Sequence, residues 1–373
     1  MPVSRKLITP LFDALLAMVP FVGPEAQERA RGRPFRARLG ANESVFGPSP
    51  RALAAMSEAV AGNWMYADPE NLELREAIAS LHGVSAGNVV IGEGIDGLLG
   101  YAVRLICEPG DGVVMADGAY PTFAFHVAGQ GGVLTKVPFR DDREDLAGLL
   151  HRATETRARI LYLSNPNNPM GTWWDAAAVS NLISRLPPGL VLLLDEAYCD
   201  TAPVGTVPAI DTSNPQVLRL RTFSKAYGLA GARIGYCVGE AGMISAFEKV
   251  RNHYGINRVG QVGALAAVQD QAYLARAVAQ IARARDRIAG IASRNGLAPL
   301  PSAANFVAID CGADGHFAKR VLESLLARDV FVRKPGVAPL DRCIRISCGQ
   351  ASDLDVLEAE LPVALAAART PLQ

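Results

Sequence analysis

The sequence predicts an α/β fold in which a large, mostly parallel sheet is flanked by helices and followed by a smaller α+β domain. Three observations support this. From about residue 50 to 240, short apolar segments bounded by Gly, Pro or Asp alternate with helical periods, as in βαβ units. After residue 239 a long Ala-rich helical stretch is followed by separated strands. At 373 residues, of which 50% are hydrophobic and 20% charged, the chain can bury more than one small core.

The elements follow in order along the chain. Residues 1–23 predict an amphipathic helix with Leu11, Leu15, Met18 and Val19 on one face and Pro20 at its end. The strands predicted next are rich in Val, Ile and Leu, which indicates burial on both faces. They cover residues 88–91, 112–115, 159–163, 190–194, 217–220 and 232–238.

The second half predicts fewer elements. A helical stretch covers roughly residues 257–295, strands are expected at 306–309 and 343–347, and a last helix runs from about 352 to 367. We expect three parts: an N-terminal arm at 1–44 that contributes to the small domain and to a dimer interface, a large domain at 45–270 and a small C-terminal domain at 271–373.

Composition excludes several classes of function. Lys plus Arg and Asp plus Glu both number 37, and no basic cluster suited to nucleic acid or an anionic membrane is seen. The six cysteines form no Cys-x-x-Cys pair, which indicates free thiols in a reducing compartment. The five histidines never form His-x-x-x-His, so no metal-ligand set is visible, and no apolar run reaches membrane-spanning length. We therefore expect a cytoplasmic protein that binds small molecules.

A glycine motif follows the first predicted strand of the sheet. Gly92, Gly94 and Gly97 form Gly-x-Gly-x-x-Gly between a strand and a helix, and Asp117 lies 20 residues after Gly97. This pattern is typical of a dinucleotide site, although its glycines allow any phosphate to approach a helix N-terminus. The motif alone does not identify the cofactor. An interpretation of the chain as an NAD dehydrogenase would have no support besides this motif.

Three further loops follow strands. Residues 222–225 read Thr-Phe-Ser-Lys, and together with Arg233 they would place two hydroxyls and a guanidinium around the amine of Lys225, unless the segment is only a surface turn. Asp195 ends a buried strand and would pair with a cation such as a protonated pyridine nitrogen, or cap the next turn. Residues 165–171 read Asn-Pro-Asn-Asn-Pro-Met-Gly and offer amides at the same sheet edge. This set suits pyridoxal phosphate far better than NAD.

At this point the sequence resembles the pyridoxal-phosphate-dependent fold type I aminotransferases, and most closely their histidinol-phosphate aminotransferase group. The resemblance runs along nearly the whole chain. It is carried by residues 39–43, 47–50, 66–69, 92–96, 165–169, 195–198, 221–225 and 229–235.

The resemblance implies a role for each matching residue. Lys225 is expected to bind the cofactor covalently and to shuttle a proton, and Asp195 to pair with the pyridinium nitrogen. Asn168 and Tyr198 would donate to the cofactor's phenolic oxygen, and Tyr120 would stack on its ring. The phosphate-binding residues would be Thr222, Ser224, Arg233 and the backbone of Gly94, Ile95 and Asp96.

The resemblance also implies the substrate residues. Arg345 would bind the substrate carboxylate, Arg333 would lie near a distal phosphate or second carboxylate, and Asn42 would contact the substrate. The alternative for both arginines is a solvated charge at a strand edge. Tyr66 matches a tyrosine that reaches the neighbouring site across a homodimer interface, which would make the dimer necessary for activity.

The implied activity is transamination between histidinol phosphate and 2-oxoglutarate, in histidine biosynthesis. An aromatic amino acid aminotransferase and a threonine-phosphate decarboxylase use the same framework and stay open as alternatives. A cofactor-sensing module without catalysis is disfavoured because Lys225 is present. Glu93, Ile95 and Met170 depart from the usual pattern, and Ile95 removes one hydroxyl from the phosphate site, so the choice of substrate is open.

Overall fold

The structure is a computed structural model that describes residues 7–17 and 22–369. Its strands are β1 (Ala37–Arg38), β2 (Val89–Gly92), β3 (Gly112–Ala116), β4 (Val133–Val137), β5 (Ile160–Ser164), β6 (Val191–Asp195), β7 (Val217–Thr222), β8 (Gly235–Val238), β9 (Ala298–Pro299), β10 (Phe306–Asp310), β11 (Val330–Phe331) and β12 (Cys343–Ser347).

The helices surround these strands. They are α1 (Pro10–Asp13), α2 (Pro24–Arg31), α3 (Pro50–Ala59), α4 (Leu72–His82), α5 (Gly94–Ile106), α6 (Pro121–Gln130), α7 (Leu146–Glu155), α8 (Ala176–Ser184), α9 (Ala241–Ala246), α10 (Arg258–Val268), α11 (Gln271–Arg294), α12 (Gly315–Ala327) and α13 (Ala351–Arg369). Among the described helices, none is long and apolar enough to cross a membrane.

The large sheet has seven strands in the order β2-β8-β7-β6-β5-β3-β4. All neighbours pair in parallel except β8, which is antiparallel to both β2 and β7. The carboxyl ends of β5, β6 and β7 lie side by side, with Ser164 opposite Asp195 and Asp195 opposite Leu220. The predicted fold class is confirmed, and the open edge of these parallel strands is where such sheets bind ligands.

Both faces of the central strands are covered. Leu193 of β6 packs in one apolar cluster with residues of α5 and α6, such as Leu98 and Phe123. Leu192 and Leu194 point the other way and pack with residues of α7 and α8. The continuous apolar composition of these strands reflects this two-sided burial.

A separate core unites the start and the end of the chain. Strand β10 pairs antiparallel with β9 and β12, and β1 pairs parallel with β11. Leu39, next to β1, is fully buried in an apolar cluster with residues of α11, α12 and α13. The domain boundaries near residues 44 and 270 stay a prediction.

Several predicted elements differ from those observed. The N-terminal helix is only Pro10–Asp13, with Leu11 and Leu15 each 38% exposed, and Met18, Val19 and Pro20 lie outside the described residues. The single helix expected over 257–295 is two helices, because Asp270 accepts a bond from the backbone N–H of Tyr273 and begins α11 anew.

The predicted strands also differ from the structure at β4 and β8. Strand β4 was missed because it is a partly exposed edge strand that mixes Val and Leu with Thr and Lys. The strand expected over 232–238 begins only at Gly235, since Arg233 has a left-handed backbone with φ 56° that does not fit an extended strand.

Candidate active site

A cavity of about 410 Å³ opens at the carboxyl edge of the large sheet, between the strand ends and segments of the chain's two termini. Nearly all of the side chains predicted from sequence line it. They are Asn42, Ile95, Asp96, Tyr120, Asn168, Asp195, Tyr198, Thr222, Ser224, Lys225, Arg233, Arg333 and Arg345. Their functional roles stay predictions, but the structure brings them to one place.

Lys225 lies in the turn after β7 and is half-buried at the cavity wall. Its Nζ donates to the backbone carbonyl of Asn42 at 3.1 Å and lies 5.6 Å from the centre of the Tyr198 ring. Burial, together with the charges of Arg345 and Arg233, lowers the pKa of Lys225 to about 8. A useful fraction of this amine is therefore neutral and nucleophilic near neutral pH.

Asp195 ends β6 and is only 4% exposed. Its Oδ1 accepts from the backbone N–H of Ala197 at 2.9 Å and its Oδ2 from the hydroxyl of Tyr162 at 2.7 Å. Asp195 therefore caps the next turn, as the alternative interpretation expected, and still faces the cavity. Burial raises the pKa of Asp195, which is the signature of a buried carboxylate that a cationic ligand would stabilise.

An anion-binding cup lies beside Lys225. The Thr222 hydroxyl donates to Ser224 Oγ at 2.9 Å, and Arg233 Nη1 donates to the same oxygen at 3.3 Å. Helix α5 begins at Gly94 with φ +75°, and a Cβ added there would lie 2.6 Å from Arg233 Nη2. Gly94 does not line the cavity itself, but its missing side chain lets Arg233 pack against the N-terminus of α5, where backbone N–H groups attract phosphate.

Arg345 of β12 is buried, with 9% of its surface exposed, so it is not a solvated strand-edge charge. Its Nη1 donates to Asn168 Oδ1 at 2.6 Å. Burial lowers the pKa of Arg345 to about 10, and its Nε is buried without a hydrogen bond to any described residue. A buried guanidinium at the wall of a cavity suits a carboxylate or phosphate ligand, because an anion would compensate its buried charge.

Asn42 links several of these groups. Its Nδ2 donates to the Tyr198 hydroxyl at 3.1 Å, and its Oδ1 accepts from Ser347 Oγ at 2.8 Å. Asn42 has φ 57°, a left-handed conformation that Asn tolerates better than most residues. Burial raises the pKa of Tyr198 to about 12, so its hydroxyl stays protonated and able to donate.

One aromatic and one cationic side chain, Tyr120 and Arg333, complete the lining of the cavity. Tyr120 precedes α6, and burial raises its pKa to about 12. Arg333 forms a backbone bridge with Arg345, and its Nη2 donates to the backbone carbonyl of Val22 at 2.7 Å. The arm that precedes β1 therefore contacts the distal side of the cavity through Arg333.

Tyr66 is not among the lining residues of this chain's cavity. It is 77% exposed and its ring packs against Tyr254 with centroids 4.7 Å apart. Its predicted contribution to a neighbouring site stays a prediction.

The sequence did not reveal the buried polar groups that lie outside the cavity and contact its strands, such as Tyr162 and Glu196. Tyr162, which donates to Asp195, lies inside β5, where the sequence pattern predicts only a buried apolar strand. Glu196, 1% exposed, forms ion pairs with Arg219 and Arg221 of β7. The alternation of Arg219 and Arg221 within an otherwise apolar strand was the available signal, because a buried charge requires a partner.

The chain is similar to known proteins along most of its length. Residues 37–361 match a family model described as aminotransferase class I and II. A histidinol-phosphate aminotransferase of Moorella thermoacetica is 33% identical over 344 residues, which cover 90% of this chain and 88% of that protein. The crystal structure of a histidinol-phosphate aminotransferase from Sinorhizobium meliloti, in complex with pyridoxal-5'-phosphate, is 51% identical and superposes with a TM-score of 0.94 over 97% of this chain and 98% of that one.

Proposed function

The chain belongs to the class I and II aminotransferases, and on that premise we propose that it is a pyridoxal-phosphate-dependent enzyme that transfers the amino group of histidinol phosphate to 2-oxoglutarate. The observation that carries the proposal is one cavity that holds an amine with a lowered pKa, a buried carboxylate and an anion cup. These groups are Lys225, Asp195 and the Ser224–Arg233 pair at the start of α5.

The residues present fit the cofactor. Asp195, buried and hydrogen-bonded on both oxygens, would pair with the ring nitrogen, and the Gly94 start of α5 with Arg233 would hold the phosphate. Tyr120 would cover the ring and Tyr198 would donate to its phenolic oxygen. When bound, pyridoxal phosphate supplies an aldehyde that condenses with amines and a cationic ring that withdraws electrons from the substrate's Cα.

The chain's own residues would perform the proton chemistry. Lys225 Nζ, with its pKa lowered to about 8, is suited to remove the proton from the substrate's Cα and to hold it for transfer. A general base works best when its pKa lies near the working pH. Tyr198 contributes a hydroxyl that stays protonated, and the backbone carbonyl of Asn42 orients the amine.

Two arginines support anionic substrates. Arg345 brings a guanidinium to the cavity wall, where it would pair with a carboxylate, and Arg333 lines the same cavity, where it would bind a phosphate or second carboxylate. 2-Oxoglutarate carries two carboxylates, and histidinol phosphate carries a phosphate but no carboxylate. The curated relative and the solved structure that bear the name of this activity support the same choice of donor.

A spectral titration tests this proposal. Purified protein loaded with cofactor is titrated with L-histidinol phosphate, and separately with phenylalanine, while the yellow absorbance of the bound cofactor is followed. We expect histidinol phosphate to remove this absorbance and 2-oxoglutarate to restore it. Loss with phenylalanine alone would transfer the assignment to aromatic amino acids. Full turnover by Lys225→Ala would refute the mechanism.

We also propose a homodimer with shared sites. Trp64, Val60 and Tyr66 are 83%, 57% and 77% exposed, an unusual concentration of large apolar side chains on a surface. Tyr66 would then act in the partner's cavity. Mixing Lys225→Ala chains with Tyr66→Phe chains should restore activity if the sites are shared, since each mixed dimer would retain one complete site; no restoration in mixed dimers would refute sharing.

For the location we propose the cytoplasm. The six cysteines are all free and buried in the structure, as is common for proteins of a reducing compartment. Cell fractionation with a tagged chain tests this proposal.

A further inference from the structure

Glu144 is a buried carboxyl with no ion pair to any described residue. Glu144 lies in the segment that joins β4 to α7 and is 1% exposed, and its Oε2 makes no hydrogen bond within the described parts of the chain. Burial raises the pKa of Glu144 to about 8. The burial of this carboxyl costs free energy that the burial of a leucine side chain at the same position would not cost, which suggests a functional role for Glu144.

The other carboxyl oxygen contacts the loop that borders the cavity. Oε1 accepts from Asn167 Nδ2 at 2.5 Å and from the backbone N–H of Ser164 at 3.4 Å. The Asn167 amide is held from its other end as well, since its Oδ1 accepts from the backbone N–H of Met170 at 3.1 Å. Glu144 and the Met170 N–H together therefore fix which way the Asn167 amide points, and the amide closes the loop at residues 167–170.

The loop so fixed presents Asn168 to the cavity. Ser164 and Asn168 both line the cavity, and Asn168 Oδ1 accepts from Arg345 Nη1 at 2.6 Å. Arg345 is the buried guanidinium with the unused Nε donor. A continuous chain of hydrogen bonds and one peptide link thus leads from Glu144 to the arginine that faces the ligand.

We propose that Glu144 is a positioning residue for the carboxylate subsite, where its Oε1 orients Asn167 and thereby holds Asn168 in the place that aims Arg345 into the cavity. The inference rests on the proposed function, because it assigns Arg345 to a substrate carboxylate. Glu144 does not line the cavity and acts through its neighbours. This positioning role requires a hydrogen-bond acceptor at residue 144 rather than a negative charge.

The test compares two replacements of similar size in the holoenzyme. Glu144→Gln keeps the acceptor for Asn167, whereas Glu144→Leu removes it without leaving a large cavity. The readout is the binding of succinate, a dicarboxylate without an amino or keto group, measured by calorimetry. A control is Asn88→Ala, which removes the buried hydrogen bond from Asn88 Nδ2 to the Gly239 carbonyl and the one that Asn88 Oδ1 accepts from the Ser85 N–H, far along the chain from these residues.

We expect Glu144→Leu to weaken succinate binding about tenfold, the effect of one misplaced hydrogen bond to a charged group. Glu144→Gln and Asn88→Ala should stay within about threefold of wild type. The KM for 2-oxoglutarate should rise in parallel with little change in kcat. Unchanged succinate binding by Glu144→Leu, or equal weakening by Glu144→Gln, would overturn the proposal.

A second variant covers the case in which Glu144→Leu does not fold. Asn167→Ala should weaken succinate binding about as much as Glu144→Leu, because it removes the amide that Glu144 Oε1 holds. Succinate binding that Asn167→Ala leaves unchanged would overturn the proposal. Wild-type enzyme that takes up cofactor but ignores succinate would overturn it too and leave the cofactor chemistry intact, whereas wild type that takes up no cofactor would refute the proposed function itself.

Discussion

Substitution of Gly94 by alanine is predicted to weaken cofactor binding specifically. Gly94 has φ +75°, and an added Cβ would lie 2.6 Å from Arg233 Nη2 and 3.3 Å from its Cζ. Because the nearest atoms belong to the end of a long side chain, the protein would respond by moving the Arg233 guanidinium. That movement takes the guanidinium away from Ser224 and from the N-terminus of α5, where we place the cofactor phosphate.

The magnitude has two parts. A left-handed conformation costs an L-residue about 1–2 kcal/mol, which lowers the free energy of unfolding wherever it occurs. A lost hydrogen bond from a charged group to the phosphate costs about 1.5–3 kcal/mol of binding, which corresponds to about a ten- to hundredfold rise in the Kd of the cofactor. Only the second part depends on Arg233.

Gly296 offers a matched control. It has φ +71°, and a Cβ added there meets no atom within 4 Å. Gly296→Ala should therefore lower stability in urea as Gly94→Ala does, while its cofactor Kd, measured by absorbance on cofactor-free protein, stays at the wild-type value. An equal Kd for both variants would refute the placement of Arg233 and α5 in the phosphate site.

Three further predictions test other parts of the site. Burial lowers the pKa of Lys225 to about 8, so the rate at which cofactor-free protein takes up pyridoxal phosphate should rise with pH up to about 8 and then level off; a rate still rising steeply at pH 10 would contradict the shift. Arg345→Lys should raise the KM for 2-oxoglutarate at least about tenfold, since an ammonium cannot replace the bidentate fork, and an unchanged KM in steady-state assays would exclude Arg345 from carboxylate binding. Glu196→Gln leaves two buried arginines without their carboxylate and should lower the free energy of unfolding by about 3–5 kcal/mol in urea titrations, so a loss under about 1 kcal/mol would show that the pairs contribute little.

The sheet and its ligand edge could be predicted because they depend on local patterns. Strands β5 and β6 are apolar up to their last residues, Ser164 and Asp195, and β7 ends at Thr222, so their order along the chain already places polar loops at one edge. Strand β4 and the division between α10 and α11 escaped prediction, because an edge strand mixes polar with apolar residues and a single N-cap is a weak signal within Ala-rich sequence.

The residues around the cavity were predictable to the extent that they follow strands or match the family motifs, and the family membership is confirmed. Tyr162 and Glu144 were not, because each acts through a partner far away in sequence. Tyr162 reaches Asp195, 33 positions later, and Glu144 reaches Asn167, 23 positions later. Contacts of this kind depend on which strands become neighbours, which no local pattern specifies.

The charges in the cavity explain why ligands would stabilise this arrangement. Lys225 has a lowered pKa, Asp195 a raised one, and Arg345 both a lowered pKa and an unused donor, so each group is held in a state that burial disfavours. A cationic ring nitrogen would favour the ionised form of Asp195, and a carboxylate would satisfy Arg345. The folded chain therefore holds its charged groups ready at a cost that cofactor and substrate offset on binding, as expected of a preorganised active site.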